Sequence, residues 1–298
     1  MNRRKALISL VSLGALGIGS YFYLNNESMK RLEPRNNRIP ADLHVHLSKD
    51  ANRREIINLL GQPGLVGLAR STAQEIYLNY HRVRDYGVFK EIDKDILGII
   101  EFKGAFGVGS RGYVLNVQEV MAHHHISALG CKHPISEKDP REAVKEIHRQ
   151  KGIAIINHPF VVPSSRLFPP SEIGYRFIND EERETIEDLA LEVDEVETFN
   201  GQCIGLIPLL IDKRMANDLA KDYADYFKLR GFKGIATSDT HEVFDQVLTS
   251  GIYIPEEDLT FKKLKEYIET KNFYPVGNPI SRTSFLKGHS KYIKSLFS

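Results

Sequence analysis

Two histidines one residue apart, His44 and His46, close the segment 40-PADLHVHLSKD-50. In an extended strand residues i and i+2 project to the same side, so both imidazoles would face one point, as two ligands of one metal ion must. Groups of the same kind recur at the ends of other apolar runs. Glu101 lies in 98-GIIEF-102, His125 in 123-HHHISALG-130 and His158 in 152-GIAIINHP-159, while Asp239 and His241 close 234-GIATSDTH-241. Any one of these alone reads more simply as a surface histidine, a helix cap or a solvated carboxylate. Seven of them following buried strands need cations to pair them, because an unpaired buried charge is expensive.

The elements that would position these groups alternate along the chain. Candidate strands are Ala41–Leu47, Leu65–Ala69, Ile96–Phe102, Ala122–Leu129, Ile153–Asn157, Glu195–Phe199, Gly234–Thr237 and Gly251–Ile254. Helical patterns lie between them at Arg53–Leu60, Pro140–Lys151, Asp180–Ala190, Lys213–Arg230 and Phe261–Thr270. Strand and helix in repeated succession imply a parallel sheet. Seven or eight such units in about 260 residues fit a closed or nearly closed barrel, whose functional groups stand where strands end. The loop 104-GAFGVGSRG-112 is Gly-rich but lacks the strand–GxGxxG–helix context of a nucleotide site.

Bulk properties narrow the class. The 298 residues carry 40 Lys+Arg against 39 Asp+Glu, a net charge of +1. A protein held to nucleic acid mainly through phosphates usually has a basic excess, so no general nucleic-acid binding is expected. Cys131 and Cys203 show neither zinc-knuckle nor disulfide-framework spacing. The N-terminus places Arg3, Arg4 and Lys5 before an uncharged run from Ala6 to Leu24. Those 19 residues would span about 28 Å as a helix, close to a bilayer core. Residues 1–30 therefore read as a signal peptide or membrane anchor, with a twin-arginine character in NRRKALISLVSLGALG. Residues 31–38 read as a linker, and residues 39–298 as the folded domain. The expected location is outside the cytoplasm, by export or by anchoring through residues 6–24.

Taken in order, 42-DLHVH-46, 98-GIIE-101, 125-HISALG-130, 157-NHP-159, 195-EVETFNG-201 and 238-SDTH-241 resemble the motifs of the PHP (polymerase and histidinol phosphatase) superfamily. The similarity runs from about Ile39 to about Gly277 and includes the tail 251-GIYIPEEDLTFKKLKEYIETKNFYPVG-277. It implies a distorted (β/α)7 TIM-like barrel, preceded here by the hydrophobic N-terminal helix, with a multinuclear metal centre. Carried over, His44, His46, Glu101 and Asp239 would hold one metal, and Glu101 would share a second with His125 and His158. Mixed imidazole and carboxylate ligation suits zinc, manganese or iron. The chain departs from the family at a third site, where Ala73 in 68-LARSTAQ-74 stands for a ligand histidine and 48-SKDANRRE-55 offers none. Two divalent ions per chain are therefore expected, with His241 the remaining residue of the third site. Arg53, Arg54, Arg70 and His81 occur in or near the same loops, and Glu197 and Asn200 match positions near the mouth.

The resemblance implies a metal-dependent phosphoesterase that activates water for in-line attack, acting on a small phosphorylated substrate as a phosphomonoesterase or phosphodiesterase. His241 and Asp239 are the residues expected to act in catalysis, His241 as proton donor to the leaving oxygen. Two alternatives stay open: an amidohydrolase-type metallohydrolase, and an inactive, membrane-tethered metal-binding protein.

Overall fold

The alternating segment 38-RIPADLHVHLS-48 forms a strand buried along nearly its whole length, and the sheet is built outward from it. The computed structural model describes residues 30–71, 77–103, 109–163, 175–201, 227–228, 230–241 and 244–278. In chain order the elements are β1 (Arg38–Ser48), α1 (Arg53–Leu60), β2 (Gly64–Ser71), β3 (Tyr77–Leu78), α2 (Tyr80–Arg84), β4 (Phe89–Asp93), β5 (Leu97–Lys103), β6 (Gly109–Val120) and β7 (Ile126–Leu129). There follow α3 (Pro140–Arg149), β8 (Ile153–Ile156), β9 (Val161–Pro163), β10 (Tyr175–Phe177), α4 (Asp180–Leu189), β11 (Glu195–Asn200), β12 (Ile235–Thr237), β13 (Thr240–His241), β14 (Gly251–Pro255), α5 (Phe261–Glu269) and β15 (Tyr274–Val276). The helices start where the sequence supplies an acceptor for their first free N–H groups. Asp139 accepts from Arg141 and Glu142 at α3, Asn179 and Glu182 form a reciprocal box at α4, and Thr260 accepts from Lys263 at α5.

One sheet runs through nine strands in the order β12-β11-β8-β7-β6-β2-β1-β14-β15. It nearly closes on itself, because the chain leaving β12 returns as β13 to lie parallel to β1, Val45 opposite Thr240 and His46 opposite His241. The architecture is mixed α/β and barrel-like, with nine strands on this path where seven are expected from the sequence. The sheet is also not all-parallel. β1–β2, β2–β6, β8–β11 and β11–β12 are parallel, but β5–β6, β6–β7 and β7–β8 are antiparallel. For β5–β6 and β6–β7 the reason is connection length: only residues 104–108 and 121–125 separate the strands, whereas a parallel crossover needs about a dozen or more residues.

Three apolar cores follow from this closure. Ile39, Leu65, Leu115, Val117, Ile155 and Ile235 share the core that α5 joins through Phe261 and Leu264. On the other side of the sheet, α3 and α4 pack against β7, β8 and β11 through Val144, Ile147, Ile186 and Leu189. Ile56, Leu60 and Tyr80 of α1 and α2 cover Val66, Leu68 and Val114. The expected apolar N-terminal helix lies outside the described residues, as do Ala73, Cys203 and most of the helix expected at 213–230. Among the described residues no helix is long and apolar enough to cross a membrane.

Candidate metal centre

His44 and His46 reach the interior of the barrel because β1 is irregular. Ala41 pairs with Leu65 and Asp42 with Val66, but Val45 pairs with Leu68, so three steps on β1 oppose two on β2. A one-residue slip exchanges the two faces of a strand. Before the slip Asp42 shares the outward face with Val66; after it, Val45 takes that face and the two histidines turn inward, 1% exposed each. Gly67 makes the slip possible, since a Cβ there would stand 2.6 Å from the Leu43 carbonyl oxygen. Asp42 pins the strand from behind by accepting from the backbone N–H groups of Ser238 (3.1 Å) and Leu248 (3.0 Å). Burial pushes its carboxyl up to about 6, partly offset by those bonds.

β6 supplies the carboxylate between the histidines. Its odd-numbered residues Tyr113, Leu115 and Val117 belong to the inner core, and alternation carries Glu119 to the same face. Glu119 Oε1 lies 2.8 Å from His125 Nδ1, 3.4 Å from His158 Nε2 and 3.6 Å from His44 Nε2, while Oε2 lies 3.3 Å from His46 Nε2. This is the place that the sequence reading gives to Glu101, and it must be corrected. Glu101 is opposite Arg111 on the antiparallel β5–β6 pair, bonded to it at 3.1 Å and 55% exposed. Because β5 runs against β6, its end stands beside the start of β6. Eight residues separate Arg111 from Glu119, about 26 Å along a strand.

The other expected donors do converge. His158 follows β8 and Asp239 lies between β12 and β13, and both have positive φ, 27° and 48°. Such backbone is costly for non-glycine residues and concentrates at functional sites. His44 Nε2 is 3.0 Å from His46 Nε2 and 3.4 Å from Asp239 Oδ1, and His46 Nε2 is 3.8 Å from that same oxygen. His241 stacks on His46 with ring centroids 4.6 Å apart, and its Nδ1 is 2.8 Å from the Asp239 carbonyl oxygen. Tyr77 of β3 stands against both rings, at 5.1 and 5.6 Å.

Two buried groups therefore could each hold a metal ion, His44–His46–Asp239 and Glu119–His125–His158, with the donor atoms of each within 4.8 Å of one another. The fit is chemical as well as spatial. Around an ion with N and O donors at about 2.0–2.2 Å, adjacent donors stand ~2.9–3.6 Å apart, and the separations above straddle that range. Asp239 Oδ1, which faces both Nε2 atoms of the first group, is buried without a hydrogen-bond donor. A buried carboxylate oxygen left so is costly unless a cation meets it. Charge complementarity already shapes the group. Burial alone would raise Glu119, but His125, His158 and His44 hold it well below the usual carboxylate range. Burial would lower His44, yet Asp239, Glu119 and Glu197 hold it well above the usual imidazole range.

Behind the donors lies a second set of polar groups. β11 carries its own irregularity, Glu197 opposite Ile235 and Phe199 opposite Ala236, which lets Glu197 and Asn200, three apart, both face Asp239. Asn200 Nδ2 donates to Glu197 Oε2 and to Asp239 Oδ2, at 3.0 Å each. The remaining sequence candidates lie elsewhere. Arg70 registers with Gln118, whose side chain pairs with the Ile135 backbone, so it occupies the face turned away from Glu119. Arg53 bonds the Tyr86 carbonyl, His81 packs on Tyr80, His123 faces Glu182, and His148 pairs with Asp194. Glu119 had a legible signal in 113-YVLNVQEV-120, a β-rich run just before 123-HHH-125.

No family model matches the chain, and no curated protein matches it at a significant level. Among solved structures it is similar to the lesion-specific endonuclease PfuEndoQ from Pyrococcus furiosus, with a TM-score of 0.45 and 15% identity over 80% of this chain and 57% of that one. The chain thus spans little more than half of that protein's length, and a likeness at this level fixes neither its fold nor its activity. The expectation of a small phosphorylated substrate without nucleic-acid binding stands against this neighbour, which is an endonuclease by name, and is not carried further.

Proposed function

We propose that this chain is a metal-dependent phosphoester hydrolase of the PHP type, with a dinuclear centre held by His44, His46, Glu119, His125, His158 and Asp239. The observation that carries the reading is Glu119: a buried carboxylate whose two oxygens face four imidazoles drawn from both donor groups. Two cations held side by side there would lower the pKa of a bound water and draw charge from a phosphoryl oxygen. The chain's own residues do the rest. Glu119 and Asp239 place negative charge between imidazoles and so keep the six donors convergent. His241 donates from Nδ1 to the Asp239 carbonyl oxygen, since a carbonyl only accepts. That leaves Nε2 as the atom through which His241 would pass a proton to the departing oxygen.

The test uses the full chain purified without chelator. Bound metal is counted by elemental analysis, and an aryl phosphate, an aryl phosphodiester and a DNA duplex are assayed on the same sample. About two metals per chain, with hydrolysis of one of these esters abolished by Asp239→Asn, is the expected result. No bound metal, or metal without turnover of any ester, overturns the proposal.

A further inference from the structure

Glu197 and Asn200 do more than fill space behind the donors. His44 Nε2 faces His46, Asp239 and Glu119, and its other nitrogen, Nδ1, is 3.7 Å from Glu197 Oε1, with both side chains essentially inaccessible. An ionised carboxylate offers about four lone-pair directions and no proton. On Glu197 three donors are already seated: the Thr237 hydroxyl on Oε1, and the His158 N–H and Asn200 Nδ2 on Oε2. Oε1 carries one of the three, and His44 Nδ1, buried without a hydrogen-bond partner, stands 3.7 Å from it. An imidazole that gives a lone pair from Nε2 must carry its proton on Nδ1, and a carboxylate beside Nδ1 favours that tautomer. Asn200 completes the arrangement, because a single amide nitrogen spends one hydrogen on Glu197 and the other on Asp239 Oδ2. Asp239 is thereby turned so that Oδ1 faces the histidines.

We infer that Glu197 and Asn200 are positioning residues that preset the first donor group before any ion arrives, Glu197 by fixing the Nδ1–H tautomer of His44 and Asn200 by fixing the rotation of Asp239. The inference rests on the proposed metal centre for its purpose but not for its test. In uniformly 15N-labelled, metal-free protein, long-range 1H–15N correlation reads the tautomer of His44 directly at a pH high enough to leave its ring neutral, above the raised imidazole range. The expected result is a protonated Nδ1 in the unsubstituted chain and a shift toward protonated Nε2 in Glu197→Gln, whose amide can donate to Nδ1. Chelator competition with Zn2+ should then show affinity weakened by about 10–100-fold in Glu197→Gln and in Asn200→Asp. Thr237→Val serves as the control, because it loosens Glu197 without changing the charge beside His44 and should leave the tautomer unmoved. A neutral His44 ring protonated on Nε2 and not on Nδ1 in the unsubstituted chain overturns the inference even if no variant folds. Unchanged tautomer and affinity in a folded Glu197→Gln overturn it as well. If the unsubstituted chain binds no metal, the proposed function fails while the tautomer still decides this inference.

Discussion

At the scale of single residues, the contrast between Glu101 and Glu119 is the sharpest test. Glu119→Gln should cost the chain at least one bound metal and all metal-dependent turnover. Glu101→Gln removes one partner of an exposed pair and should leave metal content unchanged, with stability altered by no more than about 1 kcal/mol. Elemental analysis of the two variants side by side decides it. Asp194 offers a pH-dependent case away from the donors. It accepts from the Ala154 N–H at 2.8 Å and lies 3.1 Å from His148 Nε2. Burial would raise its pKa, but these partners hold it below the usual value. A carboxylate lowered in the folded state stabilises above its unfolded pKa and loses that contribution as pH falls through the folded one. Asp194→Asn should therefore be less stable by about 1–2 kcal/mol at pH 7, with the gap to the unsubstituted chain closing below about pH 4. Urea unfolding at several pH values checks this.

At the scale of elements, the convergence of the candidate donors depends on two strand irregularities. Gly67→Ala should drive its new Cβ into the Leu43 carbonyl, destabilise by about 1–3 kcal/mol and weaken metal binding, because the slip that turns His44 and His46 inward would have to move. Equilibrium unfolding together with chelator competition would show both effects, and a variant with unchanged affinity would refute this role for Gly67. The same irregularities explain what could be read beforehand. His-x-His at a strand end, His158 after 152-GIAIIN-157 and Asp239 after 234-GIATS-238 were legible, because apolar runs ending in polar groups reveal a strand end directly. Glu101 was misplaced because a strand's direction is not written in its own residues: it depends on the short connection 104–108 and on β6 being recognised as a strand. Asn200 matched a position near the mouth, but that it shares a face with Glu197 could not be seen, since simple alternation puts residues three apart on opposite sides.

At the scale of the whole molecule, the donors come from five strands or their ends, spread from His44 to Asp239. An ion bound only by the folded chain stabilises it by mass action, about 4 kcal/mol at a free concentration 1,000 times Kd. Chelation should therefore lower the thermal midpoint by on the order of 10 °C, and Asp239→Asn should show a much smaller chelator effect; a scanning calorimeter reads both. The closure of the barrel adds a consequence in time. Five donors, through His158, have already been synthesised when β12 is still to come, and the sixth, Asp239, immediately precedes β13, the strand that returns to lie beside β1. Ring closure and completion of the donor set are thus a single event, so a nascent or refolding chain cannot acquire its full metal affinity before its first strand has met one of its last.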